Sequence, residues 1–115
     1  MREIEFYRTK SGNCPIEDFL DTLSDKQFEK VGWVLRLIKE IEHIPKEYYK
    51  KLKNTDDIWE IRIQFGSNIF RLLCFNFGNK VVVLTNGFAK KTQKVPRQEI
   101  VLAEKRKRDY FNRRK

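Results

Sequence analysis

Three strand-like runs, IWEIRIQF (58–65), NIFRLLCFNF (68–77) and KVVVLTNGF (80–88), follow one another almost without interruption. Gly66-Ser67 and Gly78-Asn79 separate them at two-residue hairpin spacing. Strands joined so tightly can only pair antiparallel, because a parallel crossover needs a dozen or more residues. The centre of this chain is therefore expected to be an antiparallel meander, and the remaining elements must pack around it.

The elements before the meander have their own signals. REIEFYR (2–8) alternates, with Ile4 and Phe6 on one face, and reads as a strand. Pro15 suits the first position of a short helix through Leu23, where its missing N–H has no helical partner to lose. Ser24 followed by Gln27 is a capping-box pattern. The helix it opens is expected to run to about Ile44, with Phe28, Val31, Leu35 and Ile38 marking its apolar turns and Pro45 stopping it. His43 near that end reads as a C-terminal cap. EYYKKLKN (47–54) reads as a connection, and Pro96 and Glu99 open a last helix.

The resulting order is β-α-α-β-β-β-α, an α+β domain with two helices packed on one face of a mainly antiparallel sheet. At 115 residues the chain has room for one core, so residues 1–115 are expected to form a single domain. No apolar run approaches the ~20 residues of a membrane span, and MREIEFYRTK has no signal-peptide core. A cytoplasmic protein with no membrane partner is expected. Cys14 and Cys74 make no metal-ligand pair and read as free thiols, and with His43 as the one histidine neither a His-built metal site nor a Ser-His-Asp triad is expected. No cofactor is implied.

Charge is distributed unevenly. Residues 1–87 carry 14 Lys+Arg against 13 Asp+Glu, whereas residues 88–115 carry 11 against 3. Nearly all of the net charge of +9 thus sits in the last quarter of the chain, which points to a polyanion such as nucleic acid. GFAKKTQKVP (87–96) leaves a buried-strand pattern and goes straight into lysines.

Alternation assigns the faces of the meander. Trp59, Ile61, Ile63 and Phe65 share an apolar face, which puts Glu60, Arg62 and Gln64 on the other, expected to be exposed. Arg71 is the lone charge in a largely apolar strand. Two readings of it remain open: a salt bridge to Glu60 across the hairpin, or an anion site on the open sheet face. With the strands as neighbours, Arg62, Arg71, Lys90 and Lys91 can converge on one surface, with Lys94 close behind.

The succession W-E-I-R (59–62), F-R (70–71) and F-A-K-K-T-Q-K-V-P-R-Q-E-I (88–100), preceded by S-G-N-C-P-I-E-D-F-L (11–20), resembles the phage-derived branch of the RelE/HigB toxin superfamily. The resemblance covers about nine-tenths of the chain. It implies a RelE-like fold and the toxin of a type II toxin–antitoxin pair: a metal-independent, ribosome-dependent endoribonuclease that cuts mRNA and inhibits translation. It also implies the ribosome and mRNA as partners, together with a cognate antitoxin, often a helix-turn-helix protein encoded next door. Arg62 and Arg71 match the family's strand arginines, and Lys90 and Lys91 its lysines after the last strand. Cys74 stands where relatives often have tyrosine, so the proton-transfer groups are not identified by the resemblance.

The chemistry such an enzyme needs is a base for the ribose 2′-OH, positive charge on the phosphorane and an acid for the 5′ oxygen. Arg71 and Arg62 suit the charge role, since a guanidinium can hold two phosphate oxygens. Lys90 and Lys91 could transfer protons only with pKa values lowered by neighbouring cations and burial. Arg71→Ala is expected to abolish growth inhibition without unfolding the protein. Lys94, Arg97, Lys105, Arg106, Lys107, Arg108, Arg113 and Arg114 are expected to hold RNA or ribosomal phosphates. Tyr110 and Phe111 could either stack on a base or anchor the last helix. A non-catalytic basic RNA- or DNA-binding module, or an antitoxin-binding module of phage origin, stays open as the alternative.

Overall fold

The structure is a computed structural model that describes residues 1–89 and 94–115. The chain runs β1 (Glu3–Phe6), α1 (Pro15–Leu20), α2 (Asp25–Glu40), β2 (Tyr49–Lys51), β3 (Trp59–Phe65), β4 (Asn68–Phe77), β5 (Val81–Ala89) and α3 (Arg97–Asn112). Among the described residues this is a mixed α+β architecture of five strands and three helices. The sheet order is β1-β5-β4-β3-β2, antiparallel except where β1 runs parallel to β5.

The meander over 58–88 is present as expected. Phe65 pairs with Asn68, so Gly66-Ser67 is a two-residue turn, and Gly66 supplies the positive φ of 60° that such turns require. The second turn is longer than expected, three residues, since Phe77 pairs with Val81. The stretch expected as a connection contains β2: Tyr49, Lys50 and Lys51 pair with Ile61, Glu60 and Trp59 and extend the sheet by one edge strand.

Helices α1 and α2 pack on one face. Ile16, Leu20, Val31, Val34 and Ile38 meet Ile61, Ile63, Leu72 and Leu84 there. The apolar stripe of α2 is thus rotated from the expected one, with Val34 in the core and Phe28 exposed. The capping box at its start is closed, Gln27 N donating to Ser24 Oγ at 3.2 Å and Ser24 N to Gln27 Oε1 at 2.9 Å. Its end comes at Glu40, earlier than expected, and His43 does not cap it. Arg2 does, its guanidinium donating to the carbonyls of Ile38, Ile41 and Glu42 at 3.1, 2.6 and 2.8 Å. Ile38 is among the last four helix residues, whose carbonyls have no partner within the helix.

The opposite face, expected to be open, is covered in part by α3. Ala103 and Tyr110 pack on Ile58, Leu73, Phe75 and Val83. Tyr110 meets the rings of Phe75 and Phe77 edge-on at 5.3 and 5.2 Å, so it anchors the helix. Close approach on the first face rests on Gly87, where an added Cβ would lie 2.6 Å from Phe19 Cδ2 and 2.7 Å from Leu72 Cδ2. Both cysteines are buried free thiols. No described helix is long and apolar enough to cross a membrane.

Candidate nucleic-acid site

Strand register brings two arginines together. Arg62 on β3 is directly opposite Arg71 on β4, which in turn is opposite Phe88 on β5. The next row on the same face runs Lys50, Glu60, Leu73, Asn86 across β2 to β5. Like charges directly opposite one another destabilise a sheet unless something compensates them.

Arg71 is 1% exposed and Glu60 3%. The Arg71 guanidinium donates to Glu60 Oε2, so the salt-bridge reading of this arginine holds. Arg62 is half-buried, and its Nε is buried with no hydrogen-bond partner among the described residues. The face expected to be exposed therefore hides its Glu60 and Arg71, because α3 and Val95 just before it pack on that face. Burial also overturns one expectation: with Arg71 removed, Glu60 would be a buried carboxylate without this guanidinium, so Arg71→Ala cannot leave the fold untouched.

Beside this pair lies a cleft of about 330 Å³ lined by Lys50, Leu52, Lys53, Glu60, Lys94, Val95 and Ile100. Three lysines thus surround one carboxylate, with the arginine pair next to it. Lys50 and Lys53 were missed in the sequence because β2 was read as a connection. The signal was there in weak form: Tyr49, Lys50, Lys51, Leu52, Lys53 places Lys50 one residue from a buried tyrosine, on the face opposite to it. Lys94 lines the cleft. Lys90 and Lys91 lie outside the described residues.

A buried polar network holds the end of β5 to α3. A register shift between Leu73 and Cys74 leaves Thr85 as an extra residue in β5 and turns Asn86 towards α3. Asn86 Nδ2 donates to Glu99 Oε1 at 2.9 Å, and the Thr85 hydroxyl lies 2.6 Å from Asn86 Oδ1, to which it donates. Arg106 donates to Thr85 O at 2.9 Å.

The basic residues of the C-terminal quarter divide into two sets. Arg106, Lys107, Arg113 and Arg114 have partners within the chain. Lys107 reaches Asp56 O at 2.7 Å, Arg113 pairs with Asp109 at 2.8 Å and donates to Arg8 O, and Arg114 reaches Glu5 at 3.2 Å and lies 3.5 Å from the Tyr110 ring centroid. Arg97, Lys105 and Arg108 are exposed on α3 and make no side-chain hydrogen bond or ion pair among the described residues. Phe111 is partly exposed and packs on Phe75 and Phe77 at 5.7 and 5.2 Å.

Tyr7, Asp109 and Cys74 have shifted proton affinities. The Tyr7 phenol is pushed up, first by burial and then by its 2.6 Å hydrogen bond to Asp109, and that bond holds the Asp109 carboxyl below the usual range. Burial also raises the Cys74 thiol well above the ordinary range, so it is no nucleophile at neutral pH. Among the described residues, no group of three or more His, Cys, Asp or Glu side chains is arranged to hold a metal ion.

A family model described as "Phage derived protein Gp49-like (DUF891)" matches residues 18–108. The match takes in α2, all of β2 to β5, the cleft and most of α3. No curated protein matches the chain.

Proposed function

The chain belongs to the phage-derived Gp49-like family, and from that premise we propose that it is the toxin of a type II toxin–antitoxin pair, a RelE-like endoribonuclease that cuts mRNA on the ribosome. The observation that carries the reading is the Arg62–Arg71 pair beside a cleft of lysines around one carboxylate. Two opposed guanidiniums with one bound carboxylate leave positive charge where a phosphate can take it up, and three lysines add to it.

The reaction this arrangement suits needs no group beyond the chain and the RNA. A base removes the proton of the ribose 2′-OH, the O2′–P bond forms, and the P–O5′ bond breaks as the leaving oxygen takes a proton. The products are a 2′,3′-cyclic phosphate and a 5′-hydroxyl. Glu60 is the carboxylate at the cleft and the candidate proton acceptor. Arg62, with Arg71 behind it, is the candidate for the phosphorane charge, worth about 10²–10³ in rate per well-placed donor. Lys50, Lys53 and Lys94 line the cleft and are the candidate proton donors to the leaving oxygen. Lys90 and Lys91 remain candidates through the resemblance alone. Positioning of the mRNA by the ribosome would supply much of the orientation that so open a cleft lacks.

A cognate antitoxin is the expected partner, and the cytoplasm the expected compartment. Controlled expression in bacteria tests the reading: growth arrest with truncated ribosome-associated mRNA, relieved by co-expression of the neighbouring small gene, is the expected result. Arrest without mRNA truncation would favour a basic RNA-binding module that blocks translation without cutting.

A further inference from the structure

The two sets of basic residues on α3 occupy different sides of the helix. At about 100° per residue, Arg97, Lys105 and Arg108 fall within an arc of about 80°, while Arg106, Lys107, Arg113 and Arg114 point the other way, towards the sheet. The first three span about 16 Å along the axis at 1.5 Å per residue. Val101, 48% exposed, lies between them on the same arc. Arg97 is the first residue of the helix, where a cation works against the helix dipole, so local stability does not explain it.

At Lys105 this stripe meets a second element. A hollow of about 350 Å³ lies between the β1–α1 connection and α3, and Thr9, Lys10, Lys105 and Arg106 are among its lining residues. Lys10 is exposed and makes no side-chain hydrogen bond or ion pair among the described residues. Asp109 also lines the hollow and attracts Lys10, but Tyr7 and Arg113 both donate to it, so one carboxylate faces Lys10, Lys105 and Arg106 as well.

We propose that the outer face of α3, through Arg97, Lys105 and Arg108, together with Lys10 across the hollow, is a track for the phosphates of a structured RNA. The track starts beside the cleft at the helix N-terminus and leads away from it. It rests on the proposed function for its ligand class, but its own evidence is the division of cations between engaged and unengaged sides. The inward-facing cations hold α3 to the sheet. Lys10, from the β1–α1 connection, belongs to the track although the charge asymmetry of the sequence points only to the C-terminal quarter.

The test is the salt dependence of binding to a fluorescein-labelled RNA hairpin, with the full chain. The double variants Lys10→Gln/Lys105→Gln and Arg97→Gln/Arg108→Gln should each lower the slope of log K against log salt by about 1.4–1.8, at about 0.7–0.9 per phosphate contact. Thermal unfolding should stay close to wild type. A charge-matched control on the far side of the sheet, Lys26→Gln/Lys39→Gln on α2, should leave the slope unchanged. An equal fall in all three variants, or none in the first two, would overturn the track. So would a DNA hairpin of the same sequence bound equally tightly with the same changes. A lowered slope in a protein that never cuts mRNA would sink the endoribonuclease reading and keep the track. Cutting with unchanged slopes would sink the track alone.

Discussion

Arg62 and Arg71 stand directly opposite each other across β3 and β4, yet of the two side chains it is Arg71 that donates to the buried Glu60. Arg62 is half-buried, with a buried Nε that has no hydrogen-bond partner among the described residues. A fold selected for stability alone gains nothing from this arrangement, since opposed like charges cost a fraction of a kcal/mol up to about 1 kcal/mol. An anionic ligand at the cleft would remove the conflict.

Arg62→Gln should therefore separate stability from activity. Urea unfolding should show the variant as stable as wild type or more stable, by up to about 1 kcal/mol. Cleavage in a translation extract should fall by about 10²–10³-fold.

Arg71→Ala should behave differently. It leaves the buried Glu60 carboxylate without this guanidinium, and removing one partner of a buried pair costs about 3–5 kcal/mol. That is a large share of the roughly 5–15 kcal/mol that holds a domain of this kind together. The double variant Glu60→Leu/Arg71→Met should recover most of the denaturant midpoint and none of the activity. Continued instability in the double variant would show that the pair is not what holds this region.

Most of the meander was legible because hairpin strands announce themselves locally. β4 runs from Asn68 to Phe77, the span its apolar run marks, and the Ser24–Gln27 capping box closes as its spacing requires. β2 was not legible, because three residues with two lysines make no apolar run, and its pairing with β3 is long-range. The end of α2 was misread for a related reason: its cap comes from Arg2, thirty-six or more residues away. In the site, alternation placed Arg62 and Glu60 on one face correctly. It could not tell that α3 would cover part of that face, because the helix's amphipathic side is interrupted by charged residues that bind back to the fold.

Gly87→Ala should loosen the contact between α1 and the sheet. Its Cβ would meet the Phe19 ring at 2.6 Å and Leu72 at 2.7 Å, both in the core, so a loss of about 1–3 kcal/mol is expected. Thermal unfolding checks it, and an unchanged midpoint would mean that α1 can shift outward freely.

The Tyr7–Asp109 bond predicts an acid-side effect. Asp109 has its carboxyl held below the ordinary value, first by the Tyr7 hydroxyl, so its contribution is present in full above the unfolded pKa of about 3.9 and is lost as pH falls through the lower folded value. Asp109→Asn should thus be less stable than wild type at pH 6, with the gap closing as the pH drops below about 4. Unfolding midpoints taken across that range decide it. A gap that is constant with pH would assign the loss to packing instead.

The proposed cutting of mRNA by this cleft on the ribosome is tested most directly by mapping mRNA 5′ ends in a purified translation system. Wild type and Arg62→Gln would be compared with and without ribosomes. New 5′-hydroxyl ends that need both ribosomes and Arg62 are the predicted result. No new ends from a folded wild-type protein that still binds the ribosome, or ends formed equally well by Arg62→Gln, would contradict it.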